Sequence, residues 1–113
     1  MSEELNRAKL NLIHFFHALA QKKSTELLIK TSDYTIVGYL LTNPSVLTGK
    51  QRDFKETKER WIAGTELTEP YPVSIVLTDA VIYGLNSENG QSIDIIEIFL
   101  DKIDAISLKS YLS

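Results

Sequence analysis

Across residues 2–23 the apolar side chains Leu5, Ala8, Leu12, Phe15, Phe16 and Leu19 recur at steps of three or four, with Arg7, Lys9, Asn11 and Gln21 between them. That spacing gathers hydrocarbon on one face of a 3.6-residue period and predicts an amphipathic helix over residues 1–23 that packs this face on the rest of the fold. The ends agree with the period. Ser2 can accept a first-turn amide, Glu3 and Glu4 suit the positive end of the helix dipole, and Lys22 and Lys23 suit the negative end.

From Ser24 the period shortens to two. Residues 26–30 and 35–42 are rich in β-formers and flank Ser32 and Asp33, whose short side chains bond local backbone, so a hairpin is expected. Pro44 ends it by removing a ladder donor. Residues 73–85 carry the strongest strand signal: Val73, Ile75, Leu77, Val81, Tyr83 and Leu85 alternate with smaller or polar residues, interrupted by Asp79. Thirteen residues at about 3.3 Å each would run roughly 43 Å, too far for one flat strand here, so a bend is expected near Asp79 or Gly84. Residues 86–91, with Asn89 and Gly90, predict a hairpin loop into a returning strand over 93–100. Asp101 and Lys102 then turn the chain into a last strand over 103–108. One helix and five sequential antiparallel strands predict a single mainly β domain over residues 1–113, a small, strongly bent five-stranded barrel of the SH3 type.

One stretch breaks the alternation. Eight of the eleven residues from 50 to 60 are charged, five positive and three negative, and such a run cannot be core. It predicts an exposed insertion over residues 43–72, between strands two and three. The whole chain carries a net charge of −3, so a uniformly basic nucleic-acid binder is excluded and the positive character is concentrated in this insertion. Lys50, Arg52, Lys55, Lys58 and Arg60 alternate with Phe54 and Trp61, with Tyr71 further on. Cations and aromatic planes are the two ingredients of single-stranded nucleic-acid binding. The same run also fits a solvated short helix or extended hairpin, with Asp53 or Glu56 pairing with Arg60.

The composition, 43% hydrophobic and 24% charged with no cysteine, is that of an ordinary globular chain, and it excludes disulfides, thiolate metal sites and a cysteine nucleophile. Apolar runs are shorter than the roughly 20 residues a membrane helix needs, and the first residues are acidic, so a cytoplasmic protein without membrane contact is expected. His14 and His17 share a helix face and could offer two ligands to a metal; they equally suit the edge of the helix contact, and no metal or cofactor is expected. Asp79, Asp94, Glu97, Asp101 and Asp104 provide carboxylates, yet no nucleophile turn, phosphate loop or metal signature accompanies them, so no catalytic residue is assigned and an enzyme is not expected.

The order of elements resembles the Sm-like family. The sequence Glu26-Leu27-Leu28-Ile29-Lys30 with Val37-Gly38-Tyr39-Leu40 is similar to that family's first two strands, Ser74-Ile75-Val76-Leu77-Thr78-Asp79-Ala80 to its third, and residues 98–107 to its last turn and strand. The resemblance implies an Sm-like barrel whose subunits join edge to edge through their last two strands, with RNA or another protein as client. The family's base pocket is not matched: Pro70 and Ser74 stand at its acidic and Asn positions, Phe99 and Leu100 at its Arg-Gly pair, and only Tyr71 could stack a base. Ile93, Ile95, Ile96, Ile98 and Phe99 place large side chains on both faces of one strand, and Ile103 and Ile106 follow on the next. Such two-sided burial predicts a homo-oligomeric contact, closing head to tail into a ring of roughly five to seven copies. A structural or adaptor module of the same fold, without nucleic acid, is the alternative; so is coverage of the second face by the helix and insertion of the same chain.

Overall fold

Each alternating segment becomes a strand, and both remaining charged or amphipathic segments become helices. The computed structural model describes residues 3–41, 47–64, 73–85 and 87–112. In chain order they form α1 (Glu3–Lys23), β1 (Leu27–Lys30), β2 (Tyr34–Leu40), α2 (Gly49–Gly64), β3 (Ser74–Gly84), β4 (Gly90–Phe99) and β5 (Ala105–Leu108). Short 3-10 turns occupy Leu100–Lys102 and Lys109–Tyr111. The readings placed on Ser2, Pro44, Pro70, Tyr71 and Asn86 lie outside the described residues.

The five strands make one antiparallel sheet in the order β4-β3-β2-β1-β5, with β4 and β5 at its two edges and no closure between them. The β1–β2 turn is held by Thr31. Its hydroxyl accepts from the Tyr34 amide at 3.1 Å, and its own amide donates to the Tyr34 carbonyl at 2.9 Å.

The bend in β3 falls at Asp79, whose φ of 49° lies in the left-handed region. Val37 pairs with Val81 and Tyr39 with Thr78, so two steps on β2 oppose three on β3, a bulge. Inward positions therefore run Ile75, Leu77, then Ala80, and the sheet keeps its apolar face across the irregularity. Gly38 faces this point. A Cβ there would meet the Thr78 carbonyl oxygen at 3.1 Å and the Ala80 Cα at 3.2 Å, so any side chain would require the facing strand to give way by a few tenths of an ångström.

The core joins Leu27, Ile29, Ile36, Leu40, Ile75, Leu77, Ala80, Ile98 and Leu108 of the strands to Leu100 and Ile103 of the β4–β5 connection. Helix α1 lies over it and ends in a Schellman turn: Ser24 has φ 53°, and the Thr25 and Ser24 amides donate to the Ala20 and Gln21 carbonyls. Its contact face corrects the one expected from the sequence. Ile13 and Ala20 are buried and Leu10, Phe16 and Leu19 pack beside them, whereas Leu5, Leu12 and Phe15 point outward at 44%, 53% and 60% exposure.

Candidate interaction surfaces

Helix α2 is fastened to the sheet through polar atoms. The Thr48 hydroxyl accepts from the Gln51 amide at 3.3 Å while the Thr48 amide donates to Gln51 Oε1 at 3.1 Å, the reciprocal pair that starts a helix. Gln51 is only 1% exposed and does more than cap. Its Nε2 donates to Asp79 Oδ1 at 3.0 Å and to the Asp94 carbonyl at 3.4 Å, tying the first turn of α2 to the β3 bulge and to β4. Sequence reasoning passed over this residue, although Thr48-Gly49-Lys50-Gln51 carries the capping signature.

Beyond that staple, the positive side chains meet carboxylates of the same chain. Lys50 pairs with Asp94 at 3.0 Å, Lys58 with Glu97 at 2.7 Å, and Lys55 with Glu59 one helical turn on. Arg60 Nε donates to the Glu56 carbonyl rather than to a carboxylate, and Arg52 Nη2 reaches the Leu47 carbonyl. Glu97 also accepts from the Ser74 hydroxyl at 2.5 Å. Burial pushes its pKa up, but the hydrogen bonds from Lys58 and Ser74 outweigh that and hold it below the usual carboxylate range. The five cations expected to form one phosphate-binding set are thus distributed among internal partners. Trp61 stands 61% exposed near the end of α2, and Tyr71 lies outside the described residues.

The apolar set expected at a subunit contact divides in two. Ile98 and Ile103 belong to the core of the single chain, and Ile96 and Ile106 pack half-buried against it. Ile93 and Phe99 on β4 face outward, with Ile95 half-buried between them. Neither β4 nor β5 contains a proline.

His14 and His17 open onto different hollows. His17 lines one of about 260 Å³ with Ser24, Thr25 and Tyr39, where burial and then the nearby His14 lower its pKa. His14 lines a groove of about 280 Å³ between α1 and α2. Among the described residues no group of three or more His, Asp or Glu side chains gathers around a point that could hold a metal ion. No described helix is long and apolar enough to cross a membrane. The sequence matches no protein-family model and no curated protein.

Proposed function

We propose that this chain is a non-enzymatic, Sm-like assembly module that joins copies of itself edge to edge into a ring of about five to seven and presents the ring to a protein client. The observation that carries the reading is the strand order. The last two strands lie at opposite edges of the sheet, so β4 of one copy can extend the sheet of the next through β5, and every copy repeats the contact. Ile93 and Phe99 add hydrocarbon along that edge. The β4–β5 connection supports a bent, barrel-like sheet. Flat strands would set the edges about 19 Å apart, whereas five linking residues, three of them coiled in a 3-10 turn, reach no more than about 17 Å.

Internal pairing of Lys50, Lys55 and Lys58 favours protein over RNA as the client, because each phosphate contact would first have to break an existing ion pair. Single-stranded RNA remains the second reading on the strength of exposed Trp61, which can stack a base beside Arg60. Light scattering tests the ring. A mass of several copies is expected, and Ile93→Lys with Phe99→Lys should reduce it; a wild-type mass that these edge changes leave unaltered overturns the reading. Titration with single-stranded RNA separates the clients: affinity that falls steeply as salt rises identifies RNA, and absence of binding leaves the protein client.

A further inference from the structure

The outward face of α1 is a second apolar surface, remote in chain position from the strand edges. Leu5, Ala8, Leu12, Phe15 and Leu19 follow steps of three, four, three and four, the heptad spacing of a helix-to-helix seam. Three of these are among the most exposed large apolar side chains of the helix, Ala8 is exposed beside them, and only Leu19 is half-buried. The core of this chain uses the other row, through Ile13 and Ala20. A helix with two apolar rows has one more than its own fold needs. Phe16, set edge-on to Phe15 at 5.3 Å and 82°, braces the exposed ring in place.

The charges at the two ends of the helix specify what covers the row. The first turn carries Glu3 and Glu4, and the last carries Lys22 and Lys23. A second copy laid antiparallel sets each acidic end against a basic end and opposes the two helix dipoles; a parallel copy would set like against like at both ends. Because both helices rise by about 1.5 Å per residue, the antiparallel register that sets Glu4 level with Lys23 also brings Ala8 opposite Leu19, Leu12 opposite Phe15, and the Lys22 stem over Leu5. Ala8, the one small residue of the row, thus meets the large Leu19, as close packing requires. A parallel register would put Phe15 against Phe15 and leave Ala8 facing Ala8 across a gap.

We infer that α1 forms an antiparallel, two-fold contact with α1 of a second copy, through Leu5, Ala8, Leu12 and Phe15. This contact does not depend on the edge-to-edge ring. Should both form, it links two rings through their helices. With only three heptads, pairing should be weak and concentration-dependent.

The test starts from a chain carrying Ile93→Lys and Phe99→Lys, which removes the edge contact at two exposed positions. Sedimentation or light scattering of that chain between micromolar and millimolar concentration should show monomer passing to dimer. Adding Leu12→Lys should raise the dissociation constant by about tenfold or more while leaving the melting temperature nearly unchanged, since Leu12 is outside the core. A single-chain mass throughout overturns the inference and leaves the ring untouched. A dimer indifferent to Leu12→Lys also overturns it. Orientation is read separately, because the chain has no cysteine of its own. Leu5→Cys and Lys22→Cys chains, which the antiparallel register sets face to face, should on mixing and oxidation cross-link to each other and not to themselves. Preferential linking of Leu5→Cys chains to one another would instead show a parallel pair.

Discussion

The two helices are attached to the same sheet by opposite means. Helix α1, 21 residues long, buries hydrocarbon: Ile13 and Ala20 are closed off completely, with Leu10 and Phe16 beside them. Helix α2, 16 residues long, fully buries one described side chain, Gln51, half-buries Phe54, and is tied to β4 by ion pairs at the surface. Full burial of an Ile-sized side chain contributes about 1.5–3 kcal/mol, whereas an exposed ion pair contributes about 0–1 kcal/mol. The apolar attachment is therefore part of the folding unit. The polar attachment fixes where α2 starts and how it is oriented at far smaller stabilisation, so α2 is the element that can open without unfolding the sheet.

The sharpest way to break this contrast is to cut into each attachment in turn. Ile13 is 1% exposed and lies at the centre of the α1 contact. Ile13→Ala should destabilise the whole domain by about 2–5 kcal/mol, from lost transfer energy and from the cavity left behind. Chemical denaturation measures it, and every spectroscopic probe should report the same shifted transition. A change below about 1 kcal/mol would mean that α1 is as loosely held as α2.

Gln51 comes next. Gln51→Ala removes the reciprocal cap with Thr48 and the bonds to Asp79 and the Asp94 carbonyl, an expected effect of about 1–3 kcal/mol. The loss should be local. Amide hydrogen exchange should accelerate along Gly49–Gly64 while amides of β1 and β2 keep their protection. Uniform acceleration through the sheet would show α2 to be part of the same cooperative unit as α1.

How far each helix is legible from sequence follows the same division. The extent of α1 is written in its period and its charged ends, but the period does not say which row meets the core. The row Leu5, Leu12 and Phe15 is bulkier than the row Asn6, Ile13 and Ala20, and only the position of the sheet selects the smaller one. The bend of β3 is legible because Asp79 interrupts an alternation too long to stay flat. The charged run is legible as an exposed insertion, and Thr48-x-x-Gln51 marks its start as a helix. What the run binds is not legible. Lys50 and Lys58 find Asp94 and Glu97 across 44 and 39 positions of sequence, and such pairs depend on how α2 lies along β4, which no local pattern encodes. The strand edges divide likewise: the apolar alternation of 93–106 is visible, but which of its isoleucines the fold buries is not, since Ile98, opposite Ile75, and Ile103 join the core while Ile93 stays exposed.

The smallest expected effect concerns the Lys58–Glu97 pair, and its sign follows from protonation. Glu97 has a folded pKa below its ordinary value of 4.5, because the Lys58 and Ser74 hydrogen bonds outweigh the burial that opposes them. A carboxylate with a depressed folded pKa binds protons more readily when unfolded. Its stabilisation is therefore present above the unfolded value and is lost as pH falls through the folded one. Both side chains are about one-third exposed, so solvent screening keeps the contribution below about 1 kcal/mol. Lys58→Met preserves much of the stem's packing and removes the charge. The stability difference between wild type and this variant should be constant from neutral pH down to about pH 5, then shrink toward zero as Glu97 protonates in both proteins. Added salt should narrow the neutral-pH gap in the same direction. A gap that widens in acid would mean that Lys58 acts on a group other than Glu97. A gap of several kcal/mol at neutral pH would erase the distinction between the two helices, since a surface pair would then hold α2 as firmly as buried hydrocarbon holds α1.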